Sequence, residues 1–356
     1  MKNVSLSPIS SIINDAKKGK IFILVDNKNR ENEGDLIIPA SKANPKTINF
    51  MAKHGRGLIC LALTSKQVDK LSLPLMSAVN KARMQTAFTV SIEAKKGITT
   101  GISAFDRSKT IKVAINQKSK KKDIVSPGHI FPLVARSGGV LERAGHTEAS
   151  VDISKLAKLN PSSVICEVMN EDGRMARFDD LLKFAKKHNL KIASIEDLIS
   201  YRLKNEKFMF NIQNKKIKIK KIGFLNLNVF KNKLDGIEHY VLSKGIFNIK
   251  KPPRVRVISV EIPKGIEKLN NKLYLDSVKY LSRYNNFALI IIRNKTLKST
   301  KDESIRSTNI LRYYGIGAQI IKDFKIKNMI LVSRSKKKII GLDGYGIKIT
   351  RQEIIK

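Results

Sequence analysis

Short apolar runs, separated by charged or glycine-containing segments, recur along the first half of the chain. Continuous apolar runs predict buried strands, whereas apolar residues three and four positions apart predict helices. Apolar and polar residues alternate over 88–94, which predicts a strand with one exposed face. The pattern therefore predicts strands over 21–25, 58–63, 88–94 and 164–169, and helices over 9–19, 45–53 and 179–189.

The character of the sequence changes near residue 204. Distinct motifs are frequent before it, whereas segments rich in Ile, Lys and Asn dominate after it, and five of the nine residues of 213–221 are lysine. A chain of 356 residues is long enough for two domains that each bury a core. We therefore predict a first domain over 1–204 and a second over 205–356.

An acidic segment, residues 30–35, follows the first predicted strand and reads Arg-Glu-Asn-Glu-Gly-Asp. A carboxylate-rich loop held by a buried strand is typical of a Mg²⁺ or Mn²⁺ site, because hard cations prefer oxygen ligands. A solvated acidic turn is the alternative interpretation, and this segment alone does not decide between the two.

Two of the five histidines, His129 and His146, each follow a glycine in a predicted turn. Such a histidine has little packing role and is suited to bind a metal ion or to carry a proton. The other three, His54, His188 and His239, lie among polar and lysine residues and are predicted at the surface.

Residues 143–148 combine the guanidinium of Arg143, the exposed backbone of Gly145 and the hydroxyl of Thr147. These groups together suit a phosphate. Glu167 interrupts the apolar run 164–169, and an unpaired carboxylate in a buried strand is strongly destabilising. Glu167 therefore needs a metal ion, a catalytic task or, as the simpler alternative, a lysine partner.

The formal net charge of +39 favours attraction to phosphates. The lysine excess is spread over the whole chain, without an aromatic RNA-binding motif or zinc-finger spacing, so we expect phosphorylated small molecules and no specific nucleic acid as partners. A basic nucleic-acid binder remains the competing interpretation.

The two cysteines, Cys60 and Cys166, lie in apolar runs and are too few for a disulfide framework or a cysteine-rich zinc site. No apolar stretch approaches the roughly 20 residues that cross a bilayer. The N-terminus has no apolar signal segment. We therefore expect a cytoplasmic protein without a membrane partner.

The motifs of the first domain occur in a familiar order and spacing. They are Arg30-Glu31-Asn32-Glu33-Gly34-Asp35, Thr99-Thr100-Gly101-Ile102-Ser103, Asp106-Arg107, Pro127-Gly128-His129, Phe131-Pro132-Leu133, Arg143-Ala144-Gly145-His146-Thr147-Glu148 and Cys166-Glu167. Over residues 5–203 the chain closely resembles 3,4-dihydroxy-2-butanone 4-phosphate synthase, an enzyme of riboflavin biosynthesis. The resemblance implies a three-layer domain around a mixed sheet, of α/β or α+β class.

The resemblance also implies an activity. Members of this family are homodimeric lyases that convert D-ribulose 5-phosphate into L-3,4-dihydroxy-2-butanone 4-phosphate and formate. They use Mg²⁺ or Mn²⁺, and we expect two ions in each site and no zinc. An alternative is a regulatory protein in which both domains are inactive, but the intact motifs of the first domain argue against it.

The resemblance assigns roles to individual residues. It makes Glu31 and His146 the metal ligands, and His129 and Glu167 essential for catalysis. Substrate contacts are implied for Arg30, Glu31, Asp35, Arg143, Ala144, Gly145, His146, Thr147 and Glu167. Further residues expected to line the pocket are Thr99, Thr100 and Asp106, with Cys60 as a wall residue and not a nucleophile.

The end of the chain, 312–321 and 341–346, resembles GTP cyclohydrolase II, and Arg254-Val255-Arg256 is a weaker remnant. That family binds Zn²⁺ through three cysteines, but residues 205–356 contain none. Arg312 stands at the family's catalytic arginine, whereas Ile310 replaces its catalytic aspartate. We therefore predict an inactive second α/β domain kept for packing, dimerisation or modulation; the alternative is a bifunctional enzyme or a regulator that still binds GTP.

Overall fold

The computed structural model describes residues 6–28, 30–81, 84, 86–219, 222–247, 251–261, 271–294, 315–335 and 345–355. The chain separates into two compact units, Met1–Ile199 and Ser200–Lys356. The division lies within helix Ile195–Asn205, as does the predicted boundary at residue 204. Within the described ranges, no helix has the length and apolar character needed to cross a membrane.

A mixed seven-stranded sheet forms the centre of the first unit. The strands are β1 (Phe22–Val25), β2 (Gly34–Pro39), β3 (Cys60–Thr64), β4 (Ile92–Ala94), β5 (Ile124–Ala135), β6 (Ser163–Glu167) and β7 (Lys191–Ser194). Their order across the sheet is β4-β5-β3-β6-β2-β1-β7. The pairs β3–β5 and β1–β7 are parallel, and the other neighbours are antiparallel.

Helices cover both faces of this sheet. They are α1 (Ile9–Lys17), α2 (Pro45–Phe50), α3 (Ser65–Lys70), α4 (Ala104–Ile115), α5 (His146–Leu156) and α6 (Phe178–His188), whereas α7 (Ile195–Asn205) follows β7 and contains the division between the two units. On one face, Ile48, Ile111 and Leu181 of α2, α4 and α6 join an apolar cluster with the strands. On the other face, Val151 of α5 packs against Ala62 of β3. The predicted three-layer arrangement around a mixed sheet is confirmed.

The local signals around residue 45 are confirmed in detail. The Asn44 side chain accepts a hydrogen bond from the Thr47 N–H, and the Thr47 hydroxyl accepts one from the Asn44 N–H. This reciprocal capping satisfies two N–H groups at the start of α2. Beyond Phe50 the predicted helix continues as a π-helical turn, Met51–Gly55, and Arg56 ends it in the left-handed conformation (φ 68°).

The predicted strand over 88–94 is shorter than expected. Only Ile92–Ala94 is strand, whereas Phe88 and Thr89 form isolated bridges. Thr89, predicted on the exposed face, is fully buried. Its backbone N–H and its hydroxyl both donate to the carbonyl of Pro132, so the polar side chain is satisfied inside the fold.

A second mixed seven-stranded sheet organises the second unit. Its strands are β8 (Met209–Ile219), β9 (Gly223–Asn232), β10 (Glu238–Lys244), β11 (Arg254–Glu261), β12 (Phe287–Asn294), β13 (Asn328–Ser333) and β14 (Lys348–Ile354). The order is β14-β13-β11-β12-β10-β9-β8, parallel from β14 to β12 and antiparallel from β12 to β8. Helix α8 (Lys272–Leu281) and the helical residues 315–323 complete the described part of this α/β domain.

Arg254 and Arg256, in the second unit, both form hydrogen bonds with side chains of the same unit. Arg254 forms a bidentate pair with Glu353, at 2.8 and 2.9 Å, and lies over the Tyr284 ring. Arg256 is buried and donates to the Ser277 hydroxyl. Ile310, Arg312 and the glycines of 341–344 lie outside the described residues, so the comparison of these positions with GTP cyclohydrolase II rests on sequence.

His239 was predicted at the surface, but the structure places it in the interior, 1% exposed. It lies on β10, between β9 and β12, where strand pairing covers it despite its polar neighbours in sequence. Its Nδ1 accepts the N–H of Arg293 at 3.1 Å. Burial, together with the charge of Arg293, lowers the pKa of His239 to about 4.

We expect acidification to destabilise the chain through His239. An unfolded histidine ionises near pH 6.5, so between about pH 6.5 and 4 the unfolded state binds more protons and stability falls as the pH falls. The full effect is about 3 kcal/mol. Thermal unfolding at pH 7 and 4.5 should therefore show a smaller pH effect in His239→Asn than in the parent. His54→Asn is the control: burial also lowers the pKa of His54, but its side chain is only half-buried, so this variant should change the pH effect less than His239→Asn does. An unchanged pH effect in His239→Asn would contradict the assignment.

Candidate active site

The acidic loop after β1 is folded around Asp26, whose side chain is 1% exposed. One carboxylate oxygen of Asp26 accepts from Arg30 Nη1 at 2.8 Å and from the Glu31 N–H at 3.1 Å, and the other accepts from the Glu33 N–H at 2.9 Å. Asn32 takes the left-handed conformation, with φ 55°. These bonds fix the backbone from which Glu31 projects.

Helix α5 brings His146 to this loop. His146 is the first residue of the helix, and Gly145 is its N-cap. The His146 Nδ1 lies 3.6 Å from Glu31 Oε2 and 3.9 Å from Asp35 Oδ1. One ligand atom each from Asp26, Glu31 and His146 lie within 4.8 Å of one another.

The antiparallel pair β2–β6 adds Glu167 to this group. Asp35 is directly opposite Glu167 in the register of the two strands. Glu167 Oε2 accepts the N–H of Leu58 at 2.9 Å. A Cβ at Gly57 would lie 2.6 Å from the same oxygen, so only glycine allows the 57–58 backbone to approach the carboxylate so closely. We call Arg30, Glu31, Asp35, His146 and Glu167 the acidic cluster.

The acidic cluster attracts positive charge. Burial opposes ionisation of Glu31, but His146 and Arg30 outweigh it and lower the pKa of Glu31 to about 2. Burial, with the charges of Glu167 and Glu31, raises the pKa of Asp35 to about 7 against the opposing effect of His146. The carboxylates of Asp35 and Glu31 raise the pKa of His146 to about 9, although burial acts in the opposite direction.

The residues fit a divalent cation. Ionised carboxylates and an imidazole suit Mg²⁺ or Mn²⁺ when oxygens form most of the ligand set. The buried Nε2 of His146 has no hydrogen-bond partner among the described residues, which is costly for a group used only in packing. Metal binding would replace the proton that the carboxylates otherwise hold on His146.

The predicted phosphate-binding segment lies at the start of α5. Backbone N–H groups at a helix N-terminus suit an anion, and Gly145 and Thr147 lie there. Arg143 donates to Glu148 Oε2 at 2.6 Å, and also to the Met84 carbonyl and the Thr86 hydroxyl. Arg143 and its neighbour Ala144 thus belong to a loop that is anchored to the buried Glu148.

His129 lies outside the acidic cluster. Among the described residues, its side chain forms a hydrogen bond with Glu93 and neither a hydrogen bond nor an ion pair with a member of that cluster. The sheet register nevertheless relates the two places, because Phe131, Cys60 and Ile165 form one row across β5, β3 and β6. His129 precedes Phe131 and Glu167 follows Ile165, so both residues lie towards the same edge of the sheet, on strands that are two spacings, or about 10 Å, apart.

The Thr99–Ser103 loop is held by Asp106. The carboxylate of Asp106 accepts from the N–H and hydroxyl of Thr99 and from the N–H of Gly101, and these hydrogen bonds, led by that of the Thr99 hydroxyl, lower its pKa. Thr100 is exposed. Asp106 therefore orders the loop.

Cys60 is buried in β3. Burial, with the charges of Glu167 and Asp35, raises the pKa of its thiol. A thiol kept neutral is a poor nucleophile, which supports its expected place as a wall residue.

Sequence reasoning missed Asp26, Gly57 and Glu93. Asp26 directly follows the apolar run of β1, and an acidic residue at that position signals a structured loop end. Gly57 precedes the run of β3, where a glycine often marks a close backbone approach. The contact of Glu93 spans 36 positions along the chain and has no local signal.

We expect Gly57→Ala to lower turnover by about tenfold to a hundredfold, because its Cβ would lie 2.5 Å from the backbone oxygen of Glu167 and 2.6 Å from its carboxylate, so the end of β6 that carries Glu167 would have to shift. Steady-state kinetics with ribulose 5-phosphate, the substrate that the family resemblance implies, measure the effect. Gly317→Ala is the control, since Gly317 is not left-handed and a Cβ there makes only ordinary contacts, at 3.7 Å, with the Val257 side chain. Equal turnover of Gly57→Ala and the parent would show that this approach is unimportant.

Comparison with known proteins matches the sequence model of the 3,4-dihydroxy-2-butanone 4-phosphate synthase family to residues 10–201, and that of the GTP cyclohydrolase II family to residues 279–353. The riboflavin biosynthesis protein RibBA of Aquifex aeolicus is 41% identical over 374 residues, covering 98% of this chain and 92% of the relative.

Two solved structures are similar to the chain. RibBX of A. baumannii, a two-domain 3,4-dihydroxy-2-butanone 4-phosphate synthase, superposes with a TM-score of 0.82 at 38% identity, covering 98% of this chain and 99% of the other. A 3,4-dihydroxy-2-butanone 4-phosphate synthase in complex with two magnesium ions covers 56% of this chain and 98% of its own, with a TM-score of 0.54 at 37% identity. The chain therefore belongs to the 3,4-dihydroxy-2-butanone 4-phosphate synthase family and carries a GTP cyclohydrolase II-like second domain.

Proposed function

We propose that the chain is a lyase that converts D-ribulose 5-phosphate into L-3,4-dihydroxy-2-butanone 4-phosphate and formate, as a cytoplasmic homodimer. The observation that carries the proposal is the acidic cluster, in which Glu31 and Asp35 lie within 4 Å of His146 and Glu167 lies opposite Asp35 on the neighbouring strand, in a chain of this family.

Glu31 and His146 would hold the divalent cations, Mg²⁺ or Mn²⁺, and a solved relative contains two magnesium ions. A bound cation supplies positive charge next to substrate oxygens on which negative charge develops. Arg30 holds Glu31 in place through a hydrogen bond of 2.6 Å. The N–H groups at the start of α5 would bind the phosphate.

The reaction removes a proton beside the substrate carbonyl, loses water, rearranges the carbon skeleton, takes up one water again and releases one carbon as formate, so no net water is lost. Several proton transfers are required, so groups that accept and donate protons must face the bound sugar. Glu167, held by the Leu58 N–H, and Asp35 opposite it would serve this purpose on one side. His129, at the same edge of the sheet, would serve it on the other.

We further propose that the second domain has no GTP cyclohydrolase activity, because residues 205–356 contain no cysteine to bind zinc. A role in packing, dimerisation or modulation of the first domain remains. The family match over 279–353 supports an alternative, in which this domain still binds GTP and makes the chain bifunctional or regulated.

Product analysis tests both parts. The full-length protein is incubated with Mg²⁺ and either ribulose 5-phosphate or GTP, and ¹H NMR follows the products. We expect formate from ribulose 5-phosphate and no change in GTP. Calorimetry with GTP and zinc analysis of the purified chain test the alternative: heat of binding would support a regulatory site, and bound zinc with formate from GTP would establish a bifunctional enzyme.

A further inference from the structure

Glu93 is the partner of His129 in this structure. Glu93 lies on β4, which pairs with β5, and its Oε1 is in hydrogen-bond contact with His129 Nδ1. The Glu93 side chain is 14% exposed and that of His129 43%. Among the described residues, His129 is the only ionisable group in contact with the Glu93 carboxylate. The evident electrostatic role of the Glu93 carboxylate is therefore its interaction with His129.

Two glycines leave the space that Glu93 occupies. Gly101 has φ +91°, and a Cβ there would lie 1.6 Å from Glu93 Oε1. A Cβ at Gly128 would lie 2.2 and 2.3 Å from the backbone C and O of Ile92 and 2.4 Å from Glu93 Cγ. The loop that precedes α4 is thus shaped around the Glu93 carboxylate, and the segment that precedes His129 lies closely against β4 at Ile92 and Glu93.

The contribution of the Glu93–His129 pair to the stability of the fold is too small to explain why the pair is present. A partly exposed ion pair contributes at most about 1 kcal/mol to stability. A carboxylate on one imidazole nitrogen, however, fixes the ring orientation and holds a proton on that nitrogen, so the other nitrogen becomes the basic one. The pair therefore suits a histidine that must exchange protons through Nε2.

We propose that Glu93 is a positioning residue for His129: it accepts from Nδ1–H and holds the imidazole with Nε2 ready to take a proton. This inference rests on the proposed function, in which His129 is essential for turnover. Glu93 itself would contact no reacting atom and would act only through His129.

The test is a steady-state comparison of full-length Glu93→Gln with the parent, using formate release from ribulose 5-phosphate with Mg²⁺. Gln has the same shape but no charge, so we expect kcat to fall about tenfold to a hundredfold while KM and the Mg²⁺ requirement stay unchanged. The acidic limb of the kcat–pH profile should move to lower pH, because a neutral amide stabilises the imidazolium less than a carboxylate does.

A glycine pair provides a second test without altering any ionisable group. Gly101→Ala places a methyl group on the Glu93 carboxylate, whereas Gly97→Ala, in the same loop and also left-handed (φ +76°), meets only the end of the Lys109 side chain. We expect Gly101→Ala to lower kcat as Glu93→Gln does, and Gly97→Ala to retain the parental kcat.

The outcomes separate this inference from the proposed function. A parent that releases no formate contradicts the proposed function itself. An active parent with equal kcat and pH profile in Glu93→Gln overturns the role of Glu93. A lower melting temperature and lower kcat in Glu93→Gln with an unmoved acidic limb also overturn it, because that result indicates a structural contact.

Discussion

Glu31→Gln is expected to abolish metal-dependent formate release, with a loss of at least about a hundredfold. The Glu31 carboxylate is ionised, lies 3.6 Å from His146 Nδ1 and is fixed by Arg30. A glutamine has the same size but cannot supply the negative charge that a hard cation requires. Binding of Mn²⁺, followed by electron paramagnetic resonance, should weaken in parallel with activity.

Glu171→Gln is the matched control for Glu31→Gln. It removes the same charge from a side chain that is 86% exposed and whose ion pair with Arg56 is long, at 3.7 Å. We expect parental activity and parental Mn²⁺ binding in this variant. If Glu31→Gln also bound Mn²⁺ like the parent and released formate at the parental rate, Glu31 would not be a metal ligand.

His129→Ala is expected to lower formate release by about a hundredfold to ten-thousandfold, the range of a general acid or base. Because His129 lies outside the acidic cluster, binding of Mn²⁺ and the folded state should be unaffected. Single-turnover kinetics separate the chemical step from substrate binding. Formate release by His129→Ala at the parental rate would exclude His129 from the reaction.

His129 lies outside the acidic cluster, and a mixture of two variants tests whether it acts within its own chain or on the acidic cluster of a second copy. His129→Ala and Glu31→Gln each lack one part of the site but keep the other. If a mixture of the two inactive proteins regains formate release, His129 acts on the acidic cluster of a second copy. If it stays inactive although mixed dimers form, His129 acts within its own chain.

Much of the first domain followed from local sequence patterns. Apolar runs such as 21–25 predict strands because residues buried on both faces of a covered sheet must all be apolar. Asn44 and Pro45 marked a helix start because capping is decided by neighbouring residues. The acidic segment 30–35 and the glycine-flanked His146 were recognisable because such residues are unsuited to packing, and the fold places them together.

Other features depend on contacts between distant parts of the chain, which local patterns do not contain. The alternation over 88–94 predicts Glu93 on the exposed face of a strand, and only the pairing of β4 with β5 brings it to His129. Thr89 and His239 are polar, yet strand pairing buries them and supplies their hydrogen bonds. Asp26 gains its role from the way the 26–33 loop folds back on it.

The most direct test of the account is formate release from D-ribulose 5-phosphate by the purified full-length chain before and after removal of divalent cations with EDTA. We expect release with Mg²⁺, none after EDTA, and recovery when Mg²⁺ or Mn²⁺ is added back. Formate release that persists unchanged in EDTA, or no release under any of these conditions from a folded protein, would contradict the central claim that Glu31 and His146 hold a catalytic divalent cation.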